Sequence, residues 1–185
     1  MRLFAAVVPP DGVLDELERA IAPYIGQVEG LRWPDRDTWH ITLAFYGEVP
    51  EHVLPGLQVR LARAVHRYDA LDLAFTGFGA FSSARRARVF WAGLSGDPMG
   101  RLADSVKAAG RRAGAAQTDE KRFHPHLTLA RAKAETDLRP LVEALAEFSG
   151  SPWRAEGVQL VRSHPGPRVR YESLGEWALA PARRG

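Results

Sequence analysis

The sequence KRFHPHLTLAR, residues 121–131, contains the run HLTL at residues 126–129, and a near-copy, HITL, stands at residues 40–43. In an extended strand, successive side chains point to opposite faces. Each run therefore places a histidine and a threonine on one face and two apolar residues on the other. We expect the apolar faces to enter the core and the two histidine–threonine faces to form a site.

The doubling of this pattern carries more weight than either copy. A single histidine beside a threonine is common on a half-exposed strand, because threonine has a high strand propensity. Two matches to His-apolar-Thr-apolar in one chain of this composition would arise by chance roughly once in a thousand sequences. The pair therefore predicts a shared function for His40, Thr42, His126 and Thr128.

Strand and helix patterns alternate around the two runs. Each run follows a strand and a helix and precedes another helix, so the order of elements predicts one architectural unit used twice, with the runs 86 residues apart. We predict strands over residues 2–8, 38–49, 70–83, 86–94, 124–131, 153–163 and 168–179, and helices over residues 11–25, 50–68, 99–114 and 138–149. Asp11 is the expected N-cap of the first helix. The predicted fold class is α+β.

Length and composition limit the class of protein. A chain of 185 residues fits one domain or two small lobes better than two independent domains. It has no cysteine, so disulfides and thiolate zinc sites are excluded. The apolar run near the N-terminus is too short for a signal peptide, and no run is long enough for a membrane helix. We expect a cytoplasmic protein with no membrane association.

The residue types favour acid–base chemistry on a phosphate. Histidine has an ordinary pKa of about 6.5, so one copy can accept a proton while the other donates one. In-line displacement at phosphorus needs an acid and a base on opposite sides, and it needs no metal. A zinc site would need a third ligand. His124 could share the face of His126, but Pro125 disturbs the strand register and no acidic residue stands at ligand spacing, so no metal or cofactor is predicted.

Two further features concern phosphate binding. The threonine hydroxyls can donate hydrogen bonds to phosphate oxygens, where charge builds up in the transition state. Arg131 follows the second run, although strict alternation would place it on the face opposite His126. The basic residues are nearly all arginine, which suits phosphate or nucleic-acid ligands. GC-rich codon usage would give the same composition.

The paired HxTx runs resemble the signature of the two-histidine (2H) phosphoesterase superfamily. Within it, the chain is similar to the bacterial RNA 2′,3′-cyclic phosphodiesterases, formerly called LigT-like 2′-5′ RNA ligases. The resembling segments are RLFAAVVPP, WHITLAFYGEV, RARVFWAGL, RFHPHLTLAR and YESLGEWAL, which cover essentially the whole chain. The resemblance implies a single bilobal domain over residues 1–185. Two antiparallel-rich sheets related by a pseudo-two-fold axis would line a central cleft, with the helices outside.

The resemblance also implies an activity, namely hydrolysis of the 2′,3′-cyclic phosphate at an RNA 3′ end to a 2′-phosphate. His40 would donate a proton to the leaving 3′ oxygen, and His126 would activate water. The implied substrate contacts are Thr42, Thr128, Arg131, Tyr171 and His124, with Tyr171 matching an aromatic residue of the family's last strand pair. The implied partners are RNA 3′ ends or nucleotides with a 2′,3′-cyclic phosphate, and no obligate protein partner is inferred.

Other activities fit the same residues. The site could serve reversible 2′-5′ RNA ligation, or hydrolysis of a small cyclic nucleotide. A non-catalytic module that binds RNA ends is the alternative from a different class, and the presence of both histidines argues against it.

Overall fold

The computed structural model describes residues 1–181, which form four α-helices and nine strands. The helices are α1 (Asp11–Ile21), α2 (Leu54–Val65), α3 (Gly100–Ala113) and α4 (Arg139–Ala144). The strands are β1 (Arg2–Val7), β2 (Leu31–Arg32), β3 (Ile41–Glu48), β4 (Leu71–Phe81), β5 (Ala87–Gly96), β6 (His126–Thr136), β7 (Trp153–Ala155), β8 (Gly157–His164) and β9 (Arg170–Ala178). None of the helices in this range is long and apolar enough to cross a membrane.

All nine strands belong to one antiparallel sheet, in the order β7-β4-β5-β6-β3-β1-β8-β9, with β2 added beside β6. The predicted α+β class is confirmed. The structure differs from the predicted pair of sheets in one respect, because the two halves are hydrogen-bonded into a single sheet. The joint between them is small: β3 and β6 share the single register pair Ile41 and Leu127. The two strands diverge on either side of this pair, which opens the sheet into a cleft.

The chain repeats one unit, as the order of elements predicted. The first unit is β1-α1-β3-α2-β4 and the second is β5-α3-β6-α4-β8. The last strand of each unit pairs in the other half of the sheet, β4 with β5 and β8 with β1. One half, β6-β5-β4-β7, therefore comes from one continuous segment, residues 71–155, whereas the other half, β3-β1-β8-β9, joins residues 2–48 to residues 157–178. The two halves, β3-β1-β8-β9 and β6-β5-β4-β7, are related by a pseudo-two-fold axis at the Ile41–Leu127 pair.

The core lies between the sheet and the helices. Helix α1 buries Val13, Leu14, Leu17 and Ile21 in it, at the spacing of one helical face. A smaller apolar cluster of Phe4, Ala6 and Val161, with Phe45 packed against it, lies apart from this main core. Phe4 of this cluster stacks on His40, so the cluster belongs to the cleft side of the sheet.

Two local predictions are corrected. Pro10 occupies the N-cap position of α1 and Asp11 is already helical, so the Asp11 side chain does not cap this helix. The strand predicted over residues 153–163 is divided at Glu156 into β7 and β8. The division has a topological cause, since β7 pairs with β4 in one half of the sheet and β8 pairs with β1 in the other.

The packing of α3 on β3 depends on Gly110. Tyr46 is fully buried, and its hydroxyl donates a hydrogen bond to the carbonyl oxygen of Val106 at 3.0 Å. A Cβ atom at Gly110 would overlap the Tyr46 ring, whereas a Cβ atom at Gly100, in the first turn of the same helix, would meet nothing.

We therefore expect Gly110→Ala to lower the free energy of unfolding by about 1–3 kcal/mol, although alanine is the better helix former. Gly100→Ala is the matched control and should be neutral or slightly stabilising. Urea unfolding of both variants measures the difference. Equal midpoints for the two variants would contradict this account of the packing.

Candidate active site

The register of β3 and β6 brings the two sequence runs together. Ile41 and Leu127 are antiparallel partners and are both fully buried. The residues on either side of an antiparallel pair share the opposite face of the sheet. Continuing the register by one step places His40 across from Thr128 and Thr42 across from His126. All four of these side chains line the same cleft.

The cleft has a volume of about 550 Å³ and extends well beyond the four motif residues. It follows β6 as far as Lys133 and reaches β2 and the loop between β8 and β9. Arg131 and Tyr171, both predicted as substrate contacts, also line it. Among residues 1–181, no three histidine, aspartate or glutamate side chains are grouped as ligands for a metal ion.

His40 is held by its own main chain and by aromatic neighbours. Its Nδ1–H donates to the carbonyl oxygen of Thr38 at 2.7 Å, which fixes the tautomer, and the Thr42 hydroxyl donates to Nε2 at 2.9 Å. The ring stacks on Phe4 with centroids 4.6 Å apart, and Tyr171 meets it edge-on at 5.4 Å. The imidazole therefore has one orientation, with Nε2 on the Thr42 side.

His126 has the equivalent arrangement on the other strand. Its Nδ1–H donates to the carbonyl oxygen of His124 at 2.7 Å, and the ring meets Phe81 edge-on at 5.0 Å. In both histidines the acceptor is thus the main-chain carbonyl two residues earlier. Because Nδ1 is bonded to the main chain in both rings, Nε2 is the nitrogen that each ring can offer to a ligand. The described residues provide no carboxylate partner for either Nδ1.

Burial keeps both imidazoles neutral at pH 7. It lowers the pKa of His40 to about 4, and the nearby charges of Arg131 and His126 act in the same direction, while the bond to Thr38 opposes the shift. Burial also lowers the pKa of His126, and the charges of His124 and Arg131 add to this, while the hydrogen bond to the His124 carbonyl opposes the shift. A bound phosphate anion would raise the pKa of both histidines, because an adjacent negative charge favours the imidazolium form.

A β-bulge places Arg131 on the cleft face of β6, whereas strict alternation would have put it on the core face. Phe90 pairs with Ala130 and Trp91 pairs with Thr128, so Leu129 is an extra residue on β6. Leu129 and Ala130 are both fully buried, and alternation resumes after them. The extra residue reverses the parity of the strand, and Arg131 lines the cleft beside Thr128.

The first run contains the same bulge. Ala5 pairs with Ala44 and Ala6 pairs with Thr42, so Leu43 is the extra residue on β3. Phe45 then occupies the position that corresponds to Arg131, and it also lines the cleft. The signal for both bulges is visible in the sequence, since each threonine is followed by a Leu-Ala pair that interrupts the apolar–polar alternation.

Of the two remaining predicted residues, Tyr171 lines the cleft and His124 does not. Tyr171 is 38% exposed and forms part of the cleft wall beside His40. The ring of His124 instead packs against Trp91, with centroids 4.9 Å apart, and His124 is not among the residues that line the cleft. Its contribution is the carbonyl oxygen that orients His126.

Several groups at the cleft lie outside the two sequence runs. The carbonyl oxygen of Thr38 comes from a 3₁₀ turn, and Arg32 comes from the two-residue strand β2, neither of which has a strong sequence pattern. Phe4 could have been found, because its ring lies on the face of β1 opposite the core residues Leu3 and Ala5.

Comparison with known proteins gives concordant results. The family model described as the 2′-5′ RNA ligase superfamily matches residues 8–167. A Thermus thermophilus protein named RNA 2′,3′-cyclic phosphodiesterase is 34% identical over 179 residues, which cover 91% of this chain and 84% of that protein.

Solved structures agree with the sequence matches. A crystal structure of a Thermus thermophilus protein superposes with a TM-score of 0.83 at 29% identity, covering 99% of this chain and all of the other. The crystal structure of Escherichia coli LigT in its apo form gives a TM-score of 0.77 at 26% identity, with 97% of each chain covered. The predicted LigT-like fold is therefore confirmed.

Proposed function

The chain belongs to the 2′-5′ RNA ligase superfamily and is a phosphoric diester hydrolase, and we propose that it hydrolyses the 2′,3′-cyclic phosphate at RNA 3′ ends to a 2′-phosphate. The observation that carries the proposal is the paired histidine geometry. Two imidazoles of the same tautomer, on opposite sides of a pseudo-two-fold axis, present Nε2 to one cleft. A reaction with one proton transfer on each side of a phosphorus atom needs this arrangement.

His126 is the general base in the proposed mechanism. Its neutral Nε2 accepts a proton from a water molecule, and the water oxygen attacks phosphorus in line with the P–O3′ bond. The carbonyl oxygen of His124 stabilises the imidazolium that forms, because it accepts the Nδ1–H hydrogen bond in both charge states. The lowered pKa of His126 keeps the base neutral and ready at pH 7.

His40 is the general acid. The P–O3′ bond breaks as Nε2–H of the protonated ring donates to O3′, which leaves a 3′-hydroxyl and a 2′-phosphate. With a pKa of about 4 in the free protein, His40 gains this proton when the substrate binds, since the phosphate anion raises the pKa of a neighbouring imidazole. The product state holds a neutral His40 and a protonated His126, and proton exchange with solvent restores the starting state.

The two threonines and Arg131 bind the non-bridging oxygens in this mechanism. Thr42 donates to His40 Nε2 in the free protein, so its hydroxyl rotates toward the phosphate when His40 becomes protonated. Thr128 has the symmetric position beside His126 and lines the cleft. Arg131 supplies a permanent positive charge, which favours the charge that develops on these oxygens.

An oligoribonucleotide ending in a 2′,3′-cyclic phosphate tests the proposal. We expect complete conversion to a 2′-phosphate, identified by its resistance to a 3′-specific phosphatase, at a rate that EDTA leaves unchanged because neither proton transfer uses a metal. A 3′-phosphate product would reverse the assignment of the leaving oxygen. Tight binding of this RNA without any conversion would favour a non-catalytic module that binds RNA ends.

Single substitutions test the two histidines with the same RNA. His40→Ala and His126→Ala should each lower turnover by about 10²- to 10⁴-fold, the usual range for loss of a general acid or base. His52→Ala is the matched control, because this histidine is exposed in the 3₁₀ turn that precedes α2 and lies outside the cleft. Turnover within twofold of the unsubstituted protein in either cleft variant would contradict the two-histidine mechanism.

A further inference from the structure

We infer that the arm of the cleft along β2 and β6 is a binding site for a second phosphate, the one on the 5′ side of the terminal ribose. The arm is lined by the cations Arg32, Arg131, Lys133 and Arg168 and by one carboxylate, Asp35. This inference rests on the proposed function and names the substrate class of the same site. It predicts a preference for cyclic phosphates that carry a further phosphate at the 5′ oxygen, as every RNA chain does.

The charges of the arm are only partly compensated. Arg168 donates to Asp35 at 2.8 Å, so the charges of these two residues neutralise each other. Within residues 1–181, Arg32, Arg131 and Lys133 take part in no ion pair. Three cations thus face the cleft without an ion-pair partner among the described residues, and the single negative charge of a cyclic phosphate would neutralise only one of them.

The register of β2 makes this arrangement costly without a ligand. Arg32 and Arg131 are direct partners in the β2–β6 ladder. Partners on adjacent strands project from the same face, and like charges directly opposite one another are destabilising. A second phosphate beside Arg32 lowers this repulsion and offers the Arg32 guanidinium a bidentate partner, while Arg131 remains on the reacting phosphate. The position of Arg32 on β2 therefore suits this strand to binding an anion.

The direction of the arm agrees with the proposed roles of the two histidines. Because β3 and β6 are antiparallel around Ile41 and Leu127, residues 128–133 run alongside the segment that precedes His40. The arm therefore opens on the His40 side of the site. His40 protonates O3′ in the proposed mechanism, and the ribose continues from C3′ through C4′ to the 5′ oxygen. The 5′ phosphate thus leaves the site toward Arg32 and Lys133.

Three substrates with the same base separate the sources of the second phosphate. They are adenosine 2′,3′-cyclic phosphate, its 5′-phosphorylated form, and a diadenylate ending in the same cyclic phosphate. We expect the last two to exceed the first at least tenfold in kcat/KM, the usual scale for a hydrogen-bonded charge pair. Equal values for the last two identify the phosphate itself as the recognised group, and a further gain for the diadenylate identifies the RNA chain.

Substitution of the exposed arm residues assigns the effect. Arg32→Gln, and independently Lys133→Gln, should each reduce the preference for the 5′-phosphorylated substrate about tenfold and leave kcat/KM for adenosine 2′,3′-cyclic phosphate within twofold. Arg60→Gln removes the same charge from an exposed position on α2 and should change neither value. Equal kcat/KM for all three substrates, or equal losses on all of them in both arm variants, would overturn the inference.

Binding of product-like ligands separates this inference from the proposed function. Calorimetry with adenosine 2′-phosphate and adenosine 2′,5′-bisphosphate should give at least tenfold tighter binding of the bisphosphate, a difference that Arg32→Gln removes. If no cyclic phosphate is hydrolysed but this difference is found, the proposed function fails and the second phosphate site stands. If hydrolysis proceeds and the two ligands bind equally, the second phosphate site is contradicted and the proposed function stands.

Discussion

One antiparallel register pair, Ile41 with Leu127, organises the molecule. It is the only register pair between the two motif strands, and both side chains are buried in the main core. The flanking histidines and threonines are consequently forced onto the opposite face, where the strands diverge and leave room for a ligand. The core packing and the site thus depend on the same two residues, and a shift of register by one residue would send His40 and His126 into the core.

The electrostatics of the site follow from the absence of a carboxylate beside either histidine among the described residues. Main-chain carbonyls orient the rings, and a carbonyl stabilises an imidazolium less than a carboxylate does. Burial therefore dominates, lowers the pKa of His40 and keeps the ring neutral in the free protein, with a smaller contribution from Arg131. In the proposed mechanism the proton that His40 donates is gained when the substrate binds, so phosphate binding and protonation of His40 are coupled. At pH 7, His40 is therefore protonated only in the complex that contains the reacting phosphate.

The sequence predicted those features of the fold and site that depend on local pattern. Strand alternation was enough to place His40 with Thr42 and His126 with Thr128, because the period of a strand is fixed by backbone geometry. Alternation alone failed at Arg131. The Leu-Ala pair after Thr128 is a local sign of a bulge, but the position of the extra residue depends on which residue of the neighbouring strand is paired. Two further features also depend on pairing between strands that are far apart in the sequence, so no short stretch of sequence predicts them. They are the exchange of β4 and β8 between the halves and the pairing of Arg32 with Arg131.

The pH dependence of kcat/KM tests the central claim most directly, because this ratio reports the ionisation of the free enzyme. In the proposed mechanism the reactive form carries one proton more than the pair of neutral histidines, and the pKa of each histidine lies below 6.5 in the free protein. The profile should be bell-shaped, with its maximum below pH 6.5. Above pH 6.5 kcat/KM should fall by about tenfold per pH unit, because both histidines are then neutral and the proton for the leaving group is lost. A kcat/KM that stays level or rises between pH 6.5 and 8.5 would contradict the account.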